Sequence, residues 1–195
     1  MAARSKPRNI ALFGGTFDPV HLGHVHLAAS ARDLLKLDEV RFLPCRVSPH
    51  KTDSAPSSAA DRLEMLRLAT ANLPWAEVDD FELRRDGPSY SWQTAEAMAA
   101  RFPDARRFWI MGGDQWEALP TWAHPERLAA CVEFIVFARG KPPALRAGFI
   151  LHAIEGGHPA SATAIRAAIA RGETTHPWLD PQVAKWIAEH HLYRG

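Results

Sequence analysis

The chain has 195 residues, 47% of them hydrophobic, with 23 Lys and Arg against 22 Asp and Glu. A chain of this length buries roughly 70% of its unfolded surface, so it needs neither disulfides nor a structural metal to stay folded. The near-neutral balance excludes the clustered positive charge that nucleic-acid binding draws on, and no apolar run approaches the length of a membrane span, so an anionic partner should be small.

The first apolar stretch, residues 10–13, is too short for a signal-peptide core and runs straight into glycines, so a cytoplasmic protein is expected. In chain order, 9–15 (NIALFGG) reads as a strand, about 21–36 as a helix, 39–44 (EVRFLP) as a second strand and about 59–72 as a helix. Residues 76–83 (AEVDDFEL) read as a third strand, 91–102 as a helix, 106–113 as a fourth strand and 132–138 as a fifth. Between them, 46–58 is a loop rich in Pro, Ser and charge, and 139–143 is a Gly/Pro break. Two helical segments, 162–171 and about 181–191, close the chain with no clear strand after them. Alternation at this spacing means right-handed parallel crossovers. The expected fold is α/β, a Rossmann-like doubly wound parallel sheet with a small C-terminal helical segment, in one domain over 1–195. Cys45 and Cys131 have no CxxC spacing and read as reduced thiols.

The densest chemistry lies where the first strand meets the first helix, in Gly14-Gly15-Thr16-Phe17-Asp18-Pro19-Val20-His21-Leu22-Gly23-His24. In a parallel sheet this junction is the ligand end. Glycines let a phosphate approach the backbone, and the helix start offers unpaired N–H groups and a positive dipole end. The segment is neither a P-loop nor a GxGxxG fingerprint. His21 and His24, three residues apart, project from one face and can donate to phosphate oxygens as pyrophosphate departs. A zinc site with His26, Cys45 or Asp18 is a weaker reading, because no recognised ligand spacing is present. A second anion site is written in Ser161-Ala162-Thr163-Ala164-Ile165-Arg166, where a capping Ser, a first-turn Thr and an Arg one turn on gather at one helix end. The two segments read as two jaws on one triphosphate.

GGTFDPVHLGH resembles the GGxFDPxHxGH signature of the nucleotidyltransferase superfamily, and SATAIR is similar to its C-terminal [ST]xTxxR signature. PCRVSPHK, ELRRDGPSYSWQT, MGGDQWEALPTW and VAKWIAEHHLYR resemble, in order and spacing, segments of the bacterial nicotinate mononucleotide adenylyltransferases. The resemblance implies an enzyme that transfers AMP from ATP to nicotinate mononucleotide, giving nicotinate adenine dinucleotide and pyrophosphate on the way to NAD. It implies His21, His24 and Arg166 as the catalytic donors, and Gly14, Gly15, Thr16, Phe17, Gly113, Asp114, Ser161 and Thr163 as the ATP site. It places His50, Lys51, Ser91, Trp122 and Ala123 on the mononucleotide side, with Trp122 stacked on the pyridine ring. Backbone N–H groups near Ser91 and Ala123 would read the carboxylate. Magnesium would be held mainly by the phosphates, with no protein metal ligand, and a homo-oligomer is compatible with the sequence. Departures from the family pattern include Cys45 where many members carry Asn, Ser48 for Pro, and Ser91 for Thr.

Three other readings differ in what they predict. An acceptor of nicotinamide mononucleotide or phosphopantetheine would keep the ATP motifs, but the PTW and SYS segments favour a pyridine nucleotide. A nucleotide sensor without turnover has no need of donors aimed at pyrophosphate. A tRNA-linked ligase with a similar HxGH motif would need a longer, more basic chain.

Overall fold

The computed structural model describes residues 8–47, 56–174 and 176–194. Among them six strands form one parallel sheet: β1 (Asn9–Gly15), β2 (Glu39–Pro44), β3 (Ala76–Val78), β4 (Arg106–Gly112), β5 (Glu133–Ala138) and β6 (Leu151–Glu155). Their spatial order is β3-β2-β1-β4-β5-β6. The helices are α1 (Leu22–Leu35), α2 (Ala59–Thr70), α3 (Ser91–Arg101), α4 (Gly113–Ala118), α5 (Pro125–Cys131), α6 (Ala162–Ala170) and α7 (Pro181–Glu189), with a 3-10 turn at Leu119–Thr121.

Because strand side chains alternate, the central strands feed two cores. Ala11, Phe13, Val40, Phe42, Phe108, Ile110 and Ile135 pack on one face with Ala28 and Ala31 of α1, Met65 and Leu66 of α2, Ile165 of α6, and Val183 and Ile187 of α7. Ile10, Leu12, Leu43, Trp109, Met111, Phe134 and Val136 pack on the other with Ala95 and Met98 of α3, Trp116 of α4 and Leu128 of α5. Helices on both faces make the doubly wound α/β fold that the alternation predicts. Trp109 is a core residue, while Trp75 and Trp186 are only partly buried against the first core. The most completely enclosed tryptophan is Trp116, whose Nε1 donates to the Ala144 carbonyl at 2.9 Å.

The structure corrects the sequence reading in three places. The third strand stops at Val78 instead of Leu83. Asp79 is the reason: one carboxylate oxygen accepts the Phe81 amide at 3.1 Å, a local turn that replaces the strand ladder. The other accepts from Arg41 at 2.9 Å and Arg101 at 2.7 Å, which draws Asp79 into the protein. A sixth strand, Leu151–Glu155, stands at the sheet edge, where its half-exposed LHAIE pattern carries little apolar periodicity. Finally, the fourth strand ends at Gly112, because Gly113 already opens the short helix α4.

Candidate active site

The strand order reverses its direction of growth between β1 and β4, and in such sheets ligands bind at the carboxyl ends of the strands flanking that point. The glycine–histidine segment follows β1 there, and Gly113 and Asp114 follow β4. Both glycines at the end of β1 also have an internal reason to lack a side chain. A Cβ on Gly14 would meet the Trp109 ring at 3.0 Å, and one on Gly15 would meet the Phe17 ring at 3.0 Å. Phe17 is 2% exposed with a left-handed φ of 52°, and its ring sits edge-on to Phe13, Phe42 and His24. Its ring is a wedge driven into the core beside the end of β1.

His21 is the N-cap of α1 and His24 lies in its first turn. The His21 amide donates to His24 Nδ1 at 3.2 Å, and the two rings stack with centroids 3.7 Å apart. Since His24 Nδ1 accepts that bond, the proton of the neutral ring belongs on Nε2. His21 is only 9% exposed. Burial first, then the nearby His158 and His176, lower its pKa from 6.5 to about 4, so at neutral pH it is a neutral N–H donor rather than a cation. Gly23 between them is tightly enclosed: a Cβ there would lie 3.0 Å from both His21 Nδ1 and His158 Nδ1.

Ser161 caps α6 as predicted, its Oγ accepting the Ala164 amide at 3.4 Å, and Thr163 is exposed in the first turn. Arg166 reaches across 148 positions of sequence and donates from Nη1 to the Asp18 carbonyl at 2.7 Å. This bond joins the two sequence motifs in one site. The Asp18 carboxylate in turn accepts the Tyr193 hydroxyl at 2.7 Å and the Ser57 amide at 3.3 Å.

On the other side of the switch point, Asp114 is exposed in the first turn of α4; the N-cap itself is Gly112, whose amide donates to Gln115 at 3.1 Å. Ser91 opens α3, and the preceding SYS segment is anchored beside β2: the Ser89 amide donates to the Val47 carbonyl at 3.1 Å and the Arg46 amide to Ser89 Oγ at 3.1 Å. Trp122 is half-buried against the second core, and Ala123 is exposed just before α5. The helices that follow Ser91 and Ala123 are tied together by Arg127, which lies 3.7 Å over the Trp92 ring and forms two 2.8 Å bonds to Glu96. His50 and Lys51 lie outside the described residues.

Sequence reasoning missed two residues of this region. Arg62 is 1% exposed and donates to three carbonyls: Thr16 at 2.9 Å, Cys45 at 2.7 Å and Ser57 at 3.0 Å. The signal was an arginine three and four residues before Met65 and Leu66, on the buried stripe of its helix. Tyr193 is the second: it stands in the VAKWIAEHHLYR segment that carries the family resemblance, but nothing in the spacing of that segment singles it out. Cys45 offers Thr16 only a sulfur contact of 3.7 Å from Sγ to Oγ1. Among the described residues, no three His, Cys, Asp or Glu side chains gather as a metal site.

A strand–helix junction with paired histidines, tied to a second capped helix by the Arg166–Asp18 bond, is the arrangement a nucleotidyltransferase site would take. The cytidylyltransferase-like family model matches residues 12–168. The chain is 34% identical over 186 residues to the protein named "Probable nicotinate-nucleotide adenylyltransferase" of Lactiplantibacillus plantarum, covering 95% of this chain and 88% of that one. A protein of the same name from Neisseria meningitidis serogroup B is 36% identical over 200 residues, with 95% and 98% covered. In fold, the chain is similar to Plasmodium falciparum nicotinic acid mononucleotide adenylyltransferase complexed with NaAD, at a TM-score of 0.74 and 19% identity, with 95% and 97% of the chains covered. The chain therefore belongs to the nicotinate-nucleotide adenylyltransferase family within the cytidylyltransferase-like group.

Proposed function

We propose that this protein transfers AMP from MgATP to nicotinate mononucleotide, giving nicotinate adenine dinucleotide and pyrophosphate. The observation that carries the reading is the Arg166–Asp18 bond, which faces the start of α6 toward the glycine–histidine turn so that both donor sets address one triphosphate. A phosphate oxygen of the mononucleotide forms a bond to the α-phosphorus as the bond to the bridging oxygen of pyrophosphate breaks. No side-chain nucleophile takes part. Gly14, Gly15, Thr16 and Phe17 cradle the phosphates, and Ser161 and Thr163 hold them from the other jaw. Gly113 lets the ribose approach, and Asp114 accepts from its hydroxyls. His21, His24 and Arg166 donate to the oxygens on which charge grows, and such preorganised donors act most strongly where water is excluded.

Magnesium would be held by the triphosphate oxygens, because the N–H, hydroxyl and guanidinium groups around the cradle suit phosphate oxygens rather than a cation. Trp122 stacks on the electron-poor pyridine ring, and backbone N–H groups near Ser91 and Ala123 donate to the carboxylate. His50 and Lys51 complete the phosphate side of the acceptor. That neither Cys45 nor Cys131 is in a disulfide supports a cytoplasmic setting.

The test offers MgATP with nicotinate mononucleotide, nicotinamide mononucleotide or phosphopantetheine in turn and follows pyrophosphate release. Turnover with the acid well above that with the amide, and none with the thiol, is expected. ATP binding without turnover of any acceptor would overturn the reading in favour of a nucleotide sensor.

A further inference from the structure

We propose that Tyr193, next to the last described residue, is a positioning residue for the ATP site, holding the Asp18 carboxylate so that the turn carrying His21 keeps its binding geometry. The proposal rests on the ATP half of the function proposed above and not on the identity of the acceptor.

Asp18 is 9% exposed and sits at a junction of three distant parts of the chain. One carboxylate oxygen, Oδ1, accepts the Tyr193 hydroxyl at 2.7 Å and the Ser57 amide at 3.3 Å. Its backbone carbonyl accepts Arg166 at 2.7 Å. Side chain and main chain of one residue thus fix the turn against the C-terminal tail, the approach to α2 and the α6 jaw. Ser57 is itself held, since its carbonyl accepts Arg62 Nε at 3.0 Å. Tyr193 packs against the first core, so its ring is located independently of Asp18. Burial, reinforced by the Asp18 carboxylate, raises the phenol's pKa far above its ordinary value.

A hydroxyl that donates to a charged acceptor at this depth restricts where the carboxylate can go. Without it Oδ1 keeps one long amide bond, and Asp18 can rotate toward the space that phosphates are to occupy, bringing a negative charge with it. The two residues between Asp18 and the His21 N-cap, Pro19 and Val20, then lose their tether. Tyr193 touches no reacting atom, so its effect reaches ATP only through Asp18.

The experiment measures MgATP binding by calorimetry without any acceptor, at a temperature well below melting, for the wild-type chain, Tyr193→Phe, Asp18→Ala and the double variant. Lys185→Ala, on the exposed side of α7, serves as the control. Tyr193→Phe should weaken MgATP binding about ten- to hundredfold, the range for losing a hydrogen bond to a charged group. Asp18→Ala should weaken it comparably, and the double variant no more than the worse single, since both act on one contact. A Tyr193→Phe protein that melts lower yet binds MgATP as the wild type does would show a merely structural role and overturn the proposal. Additive losses in the double variant would overturn it too. Should Tyr193→Phe not fold, Asp18→Ala decides alone: unweakened binding overturns the proposal. A wild-type chain that fails to bind MgATP would overturn both this proposal and the function it rests on.

Discussion

Gly23→Ala places the smallest possible probe at the centre of the site. The added methyl would lie 3.0 Å from His21 Nδ1, 3.0 Å from His158 Nδ1 and 3.1 Å from Ala160 Cβ. Neither ring yields easily. His21 is stacked on His24 at 3.7 Å, and His158 is held by the Ala160 amide at 3.1 Å and by Trp178 edge-on at 4.7 Å. Overpacking of this kind costs about 1–3 kcal/mol, while replacing a helical Gly by Ala returns about 1 kcal/mol, so the net loss of stability should stay below about 2 kcal/mol. The effect on chemistry should be larger. Relief comes by moving His21, or by moving Ala160 and with it the Ser161 cap, and a displacement near 1 Å of a catalytic group costs about a hundredfold in rate. Pyrophosphate release at saturating MgATP, set beside a urea melt, separates the two. A kcat within threefold of the wild type would refute the argument that this glycine exists to let the imidazoles and the α6 jaw meet.

The pH dependence follows from His21. Its folded pKa of about 4 lies below 6.5, so between these values the unfolded chain binds a proton that the native state refuses. Stability from this group is complete above pH 6.5 and falls as the pH drops toward 4, by about 3 kcal/mol at most. Melts of His21→Asn should be flatter over this window than those of the wild type, and identical slopes would refute the assignment. Trp122→Ala should raise KM for the mononucleotide and leave KM for ATP unchanged; equal changes would make Trp122 a packing residue. Arg62→Met, which strands three carbonyls, should destabilise by about 3 kcal/mol or more in urea melts, and a loss below about 1 kcal/mol would show that water replaces the guanidinium.

What the sequence reveals and what it conceals divide along a physical line. The glycine–histidine turn and the Ser161 cap are local: their chemistry is written in residues a few positions apart, and the structure places them where strand and helix patterns put them. The strands of the sheet centre were legible because both faces are buried, which leaves continuous apolar runs such as FWIM in β4. β6 was not, because an edge strand needs no such run. The short α4 and α5 escaped for a related reason, since six or seven residues cannot display a helical period. Contacts such as Tyr193 to Asp18 span 175 positions and leave no spacing to read.

Arg62 shows how the hidden part serves the visible one. A turn that presents its N–H groups to a phosphate must direct some of its carbonyls the opposite way, into the protein, where an unpaired acceptor costs about 1–3 kcal/mol. The Gly15 carbonyl is satisfied by the Cys45 amide at 2.9 Å. The carbonyls of Thr16, Cys45 and Ser57 have no strand to pair with and turn to the guanidinium of Arg62 instead. An arginine is suited to this position because its fork offers several donors in one plane, whereas a lysine concentrates its donors on one nitrogen. Among the described residues its bonded acceptors are neutral carbonyls, so a positive charge lies beneath the turn proposed to hold the triphosphate. The same side chain therefore satisfies the backbone that forms the cradle and favours an anion above it. The two glycines can be read from the sequence because they stand side by side in a local motif, while the arginine that satisfies the carbonyls of the turn they open lies one layer below, on a helix that no motif marks.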